Sequence, residues 1–104
     1  MSLRLALVGD GRMSRAIAAL APAEGHRVVT VIAGEENAGG AALTATRLAG
    51  VDVALEFTTP TAAPGNLLRL AALRVPTVTG TTGWLDRLPE VQADPDDAAM
   101  PNLL

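Results

Sequence analysis

Apolar residues in this chain come in short, nearly continuous runs separated by glycine-rich turns. The first, Leu3-Arg4-Leu5-Ala6-Leu7-Val8, stops at Gly9. Such a run marks a strand buried on both faces of a parallel sheet. Arg27–Ile32, Val51–Phe57 and Val75–Thr79 repeat the pattern and predict three more strands. Pro76 falls at the start of the last, where proline is tolerated. Between them lie helical periods. One runs from about Arg12 to Ala21, with Met13, Ile17, Ala18 and Leu20 as its apolar side and Pro22 and Gly25 ending it. Another runs from about Ala62 to Leu73, with Pro64 in its first turn, where a missing N–H costs nothing. Residues 33–50 are interrupted by Gly34, Gly39, Gly40 and Gly50 and predict only a short helix, Ala41 to Leu48. A short helix is expected over Leu85–Val91, and the Asp- and Pro-rich stretch from Ala93 to Leu104 reads as a poorly ordered tail.

Strands alternating with helices predict an α/β fold: a doubly wound, Rossmann-like parallel sheet of about four strands, occupying residues 1–92. The expected strand order is second, first, third, fourth. Winding then reverses between the first and third strands, and a ligand crevice opens at their carboxyl ends. The turns Gly9–Gly11, Phe57–Pro60 and Gly80–Gly83 all fall at that edge.

Composition removes several alternatives. The chain of 104 residues has no cysteine, so disulfide and thiolate chemistry are excluded, along with the usual zinc ligands. A single histidine, His26, cannot build a metal site, and its place before the second strand makes it a surface residue away from the crevice. One Trp, one Phe, no Tyr and a net charge of −3 argue against a nucleic-acid partner. No apolar run reaches the ~20 residues of a membrane span, and residues 1–8 are too short for a signal peptide. A cytoplasmic location is the expectation.

The turn Gly9-Asp10-Gly11-Arg12-Met13-Ser14 matches the first two glycines of the dinucleotide fingerprint. Gly9 permits the tight turn and Gly11 lets backbone approach a pyrophosphate, which the N–H groups of the following helix then face. Ser14 stands where the third glycine would be, so slightly wider helix–strand packing is expected. Arg12 and Arg15 either contact phosphate or are solvated helix charges. Asp10 would repel a phosphate and is expected to point to solvent. The acidic ribose partner expected about 20 positions on is replaced by Ala33, with Glu35 the best substitute and Glu36 next, unless both are simply solvated. Ala33 to Thr46 contains no Arg or Lys, so a 2′-phosphate lacks an obvious partner there. NADH or NADPH is the expected cofactor.

Phe57-Thr58-Thr59-Pro60 and Gly80-Thr81-Thr82-Gly83-Trp84 end buried strands with small, hydrogen-bonding residues. Their backbone groups and hydroxyls suit a nicotinamide carboxamide, and Phe57 could pack on the ring. The plainer alternatives are an N-cap at Thr61 and an ordinary βα turn at Gly80.

With these turns the sequence resembles the N-terminal domain of the 4-hydroxy-tetrahydrodipicolinate (dihydrodipicolinate) reductase family. Gly11-Arg12-Met13, Val51 to Pro60, Asn66 and Val78 to Trp84 carry the resemblance, which spans about residues 3–91. It implies pyridine-nucleotide-dependent reduction on the diaminopimelate route to lysine. It also implies pyrophosphate binding by Gly9, Asp10, Gly11, Arg12 and Met13, and nicotinamide binding by Gly80, Thr81 and Thr82 beside Phe57 and Thr58. Pro101-Asn102 matches a family segment that Leu103-Leu104 does not continue, and the strand expected over Ala93–Met100 is missing from the pattern. The family's second domain, with its proton donor and catalytic lysine, is not found in these residues. The expectation is therefore a nucleotide-binding portion that is not catalytically competent alone. A non-catalytic NAD(H)-sensing or interaction module, or a different enzyme on the same fold, would share these features in part. An unpaired fourth strand would favour self-association as a homo-oligomer.

Overall fold

Leu5 to Val8 offers no polar position to solvent, so a strand made of it must be covered on both faces. In the computed structural model, which describes residues 2–84 and residue 89, this run is the strand β1 (Arg4–Val8), with Leu5 to Val8 all buried. The strands β2 (Arg27–Ile32), β3 (Val53–Glu56) and β4 (Thr77–Thr79) pair with it in one parallel sheet of order β2-β1-β3-β4, the order the sequence predicts. The expected helix at Leu85–Val91 and the tail from Ala93 lie outside the described residues.

Register sorts the side chains. Val8 pairs with Ile32 and Glu56, and Glu56 with Thr79, so these residues share one face. On that face Ala6, Val8, Ile32 and Ala54 form the main core with Leu43, Leu48, Leu70 and Val75. Leu70 belongs to the helix α2 (Ala63–Ala72), which also buries Leu67 against Trp84. The opposite face carries Leu7 and Val31 beneath the helix α1 (Arg12–Leu20). The two helices thus cover opposite faces.

Two readings need correction. The apolar side of α1 is not Met13 and Leu20, which are exposed; Ser14 and Ala21 are buried and Ile17 and Ala18 half-buried. Those four positions follow the i, i+3, i+4, i+7 stripe that a helix turns to a sheet, and Met13 and Leu20 lie one step off it. No helix forms over Ala41–Leu48, where the chain makes turns preceded by 3₁₀ turns at Gly34–Glu36 and Ala38–Gly40. Leu43 and Leu48 are both buried. Five residues apart, they cannot occupy one face of an α-helix, and satisfying the core wins over local propensity.

α2 ends in an αL cap: Val75 N–H donates to Leu70 C=O (3.0 Å) and Arg74 N–H to Ala71 C=O (2.9 Å). The left-handed residue is Arg74, at φ 59°. A side chain there costs roughly 1–2 kcal/mol, partly offset by the greater unfolded-state freedom of glycine. Arg74→Gly is therefore expected to stabilise the chain by about 0.5–1 kcal/mol, read as a melting temperature about 3–5 °C higher in thermal denaturation. A lower melting temperature would contradict this account.

Candidate functional site

At the carboxyl edge the hydrogen-bond ladders of β1, β3 and β4 run one residue past the strand ends. Gly9 N–H donates to Ile32 C=O (2.8 Å), Phe57 N–H to Val8 C=O (2.9 Å) and Gly80 N–H to Glu56 C=O (2.9 Å). Three turns leave three neighbouring strand ends from pinned starting points. Between them lie two adjoining clefts at the reversal of winding. One, of about 400 Å³, runs from Gly11, Arg12 and Met13 to Gly80, Thr81 and Thr82. The other, of about 460 Å³, runs from Gly9 and Asp10 across to Gly34, Asn37 and Asn66. Gly11, Phe57 and Thr58 line both. The candidate residues of the three turns, Gly9 to Met13, Phe57, Thr58 and Gly80 to Thr82, all line this crevice; Arg15, Glu35 and Glu36 do not, the two glutamates being exposed on the neighbouring Gly34–Glu36 turn.

The glycines differ in what demands them. Gly9 has φ +112°, and a Cβ there would stand 2.1 Å from the Phe57 carbonyl oxygen. At Gly80 a Cβ would strike the Phe57 ring at 2.0 Å, so the ring packs close against the Gly80 backbone, and both line the crevice. Gly11 is unlike both: its φ is −81°, open to any residue, and a Cβ would meet nothing within 4 Å among the described residues. The chain itself does not need glycine at this position.

Gly11 is the N-cap of α1, with no side-chain cap and no acidic residue in the first turn. Arg15 N–H bonds Gly11 C=O (3.1 Å), while the N–H groups of Arg12, Met13 and Ser14 have no partner among the described residues. Free N–H groups at a helix start, with the dipole behind them, favour an anion. Arg12 is exposed along the first cleft, whereas Arg15 folds back so that its Nε donates to Asp10 C=O (3.2 Å). Asp10 is exposed, but it does not point away from the site as expected: its carboxylate accepts weakly from Gly34 N–H (3.4 Å), across the mouth of the second cleft. Ser14 fits the third-glycine position but leaves its buried Oγ without a hydrogen-bond partner.

After β2, Glu36 is already engaged. Its carboxylate accepts from Ala33 N–H (2.9 Å) and pairs with Arg47 (2.8 Å). The Arg47 hydrogen bond, with the Ala33 N–H next, holds the Glu36 carboxyl below its ordinary value. Arg47 also donates to Thr30 Oγ1 and Val31 C=O on the outer edge of β2. Arg47 sits one position beyond the stretch that lacks basic residues, and the turns bring it back to the very loop that sequence reading left without a cation. Glu35 is thus the unengaged acidic side chain of this turn among the described residues.

The threonine turns are bound to each other. Thr58 N–H donates to Thr81 Oγ1 (2.7 Å), and Trp84 Nε1–H donates to Thr81 C=O (2.7 Å). The Thr58 and Thr81 hydroxyls both donate to Glu56. Sequence reading offered these hydroxyls to a ligand; their protons are spent inside the protein, and backbone groups are left for recognition. Thr61 does not cap α2, whose N-cap is Ala62 with no side-chain cap; in the turn before it Thr59 Oγ1 accepts from Ala62 N–H (3.2 Å) and Thr59 C=O from Ala63 N–H (2.9 Å). His26 lies at the other edge of the sheet, half-buried, where its Nδ1 accepts from Leu3 N–H (3.1 Å). Asn37, Asn66 and Glu56 were not picked out as site residues from sequence. Asn37 Nδ2 donates to Asn66 Oδ1 (3.0 Å), and this buried pair forms part of the second cleft.

Among the described residues, no group of three or more His, Asp or Glu side chains could take a metal ion, and no helix is long and apolar enough to cross a membrane.

Residues 3–95 match the family described as dihydrodipicolinate reductase, N-terminus. A 4-hydroxy-tetrahydrodipicolinate reductase from Christiangramia forsetii (strain DSM 17595 / CGMCC 1.15422 / KT0803) is 32% identical over 84 residues, which cover 81% of this chain and 33% of that protein. The chain therefore aligns with about one third of that relative's length. With a four-stranded parallel sheet of this order and a match over nearly its whole length, the chain belongs to the dihydrodipicolinate reductase family, as its N-terminal domain.

Proposed function

We propose that the crevice binds NADH or NADPH, and that the chain is the nucleotide-binding part of a 4-hydroxy-tetrahydrodipicolinate reductase acting in lysine biosynthesis by the diaminopimelate route. Gly11 carries this reading. It is a glycine that neither backbone conformation nor packing requires, at the uncapped start of a helix, and its missing side chain opens on the clefts. Close approach of a pyrophosphate accounts for glycine at an N-cap where Ser, Asp or Asn would cap the helix better.

In this reading Gly9, Asp10 and Gly11 form the pyrophosphate turn. The N–H groups of Arg12 and Met13 meet the phosphates, with the Arg12 guanidinium beside them. Glu35 is the acidic group available to the adenosine ribose. Phe57 and Thr58, with Gly80, Thr81 and Thr82, form the nicotinamide end. The bound cofactor supplies hydride. Orienting the acceptor and protonating its nitrogen require further groups. The chain has no lysine, and its one histidine lies at the far edge of the sheet. The isolated chain is therefore expected to bind nucleotide without reducing substrate.

Isothermal titration of the folded chain tests this directly. One site per chain with NADH or NADPH, and no turnover of substrate, is expected. Folded protein that gives heat with neither nucleotide would refute the proposal.

A further inference from the structure

Glu56 is wholly buried at the end of β3, and among the described residues no cation lies against it. Its carboxylate is met by neutral donors alone. Oε1 accepts from Thr79 Oγ1 (2.6 Å) and Thr81 Oγ1 (2.8 Å). Oε2 accepts from the Thr58 hydroxyl and, at 3.5 Å, from Asn66 Nδ2. A carboxylate this deep persists only when its acceptor sites are filled.

A hydroxyl has one proton to give. Each threonine spends it on Glu56 and turns its lone pairs to another group. Thr81 Oγ1 accepts from Thr58 N–H (2.7 Å), Thr79 Oγ1 from Thr81 N–H (3.3 Å), and Thr58 Oγ1 from Asn66 Nδ2 (3.4 Å). One carboxylate thus ties the turn after β3, the turn after β4 and the first part of α2 into a single directional network. The N–H groups of Thr58 and Thr81 are drawn inward by it. In the wall of the first cleft, Gly80 C=O and Thr82 N–H keep no partner among the described residues. They are one acceptor and one donor, the complement of a primary carboxamide.

We propose that Glu56 is a positioning residue for the nicotinamide end of the dinucleotide. By holding the hydroxyls of Thr58, Thr79 and Thr81 it fixes the two turns in the shape that leaves Gly80 C=O and Thr82 N–H to the ligand. This inference rests on the dinucleotide reading above and adds the residue that orders one end of the site. Among the described residues, Gly9 to Met13 and the Gly34–Glu36 turn, which build the adenosine and pyrophosphate end, make no hydrogen bond to Glu56.

The test compares two probes on the 104-residue chain. NADH spans both ends, whereas ADP reaches only the adenosine and phosphate end. Glu56→Gln exchanges one accepting oxygen for an NH₂ group and leaves at least one hydroxyl without its acceptor. Expected is a fall in NADH affinity of at least tenfold, with ADP affinity within twofold of the wild type. Unchanged NADH affinity overturns the proposal, as does an equal loss for both probes, which is the mark of general destabilisation. If Glu56→Gln does not fold, Thr81→Val and Thr81→Ser carry the test. The serine keeps the hydroxyl and is expected to bind NADH within threefold of wild type, and the valine at least tenfold more weakly with ADP retained. Equal NADH binding by the two overturns the proposal. Wild-type chain that fails to bind NADH overturns the dinucleotide reading itself, a result distinct from wild-type binding that the variants leave intact.

Discussion

Gly9→Ala lowers the melting temperature of the chain by roughly 10–45 °C. Two costs add at this residue. A side chain at φ +112° brings backbone strain of about 1–3 kcal/mol. Its Cβ, 2.1 Å from the Phe57 carbonyl oxygen, must push apart two strand ends that are pinned by Gly9 N–H to Ile32 and Phe57 N–H to Val8. Overpacking of this kind costs about 1–3 kcal/mol more, because backbone cannot swing aside as a side-chain tip can. The total, roughly 2–6 kcal/mol, is a large part of the ~5–15 kcal/mol that stabilises a domain of this size. At about 4–8 °C per kcal/mol the shift is unmistakable in a thermal melt followed by circular dichroism. A melting temperature within 5 °C of wild type would show that the β1–α1 turn has another conformation.

Gly11→Leu behaves in the opposite way. The fold survives, since the position has an ordinary φ and nothing within 4 Å of a Cβ. The exchange of N-cap residue costs under about 1 kcal/mol, a shift below about 8 °C. Nucleotide binding does not survive: the new side chain occupies the space shared by both clefts. Affinity for NADH is expected to fall about a hundredfold, equivalent to ~2.7 kcal/mol, by titration calorimetry. A leucine variant that is folded and binds as wild type would remove Gly11 from the phosphate site. Taken together, the two variants separate a glycine required by the fold from a glycine required by a ligand, two residues apart in the same turn.

Much of this was legible before any coordinates. The continuous apolar run of β1, the glycines after it and the alternation of strands with helices are local signals, and strand order follows from them through the chirality of crossovers. What stayed hidden depends on contacts across the sequence. Arg47 reaches Glu36, Thr30 and Val31 from a segment whose alanines and leucines read as helical. Glu56 sits in the strand pattern Val53-Ala54-Leu55-Glu56, where simple alternation gives the polar position to solvent. Its partners at Thr79 and Thr81 lie 23 and 25 residues on, and only the parallel register of β3 with β4 brings them together. Thr58 and Thr81 stand out in the sequence by their place after the strands, but not by the bonds their hydroxyls give to Glu56. A sequence shows that hydroxyls are present but not which way their protons point.

Trp84 is the chain's single indole, buried against Ala63 and Leu67 and joined through its N–H to the carbonyl of Thr81. Its fluorescence therefore reports from the wall of the first cleft with no label and no competing tryptophan. Emission from an indole overlaps the absorption of a dihydronicotinamide and not that of the oxidised ring. Reduced nucleotide seated beside Thr81 would quench it by energy transfer and oxidised nucleotide would not, so the proposed binding would give an optical signal that tells the two redox states apart.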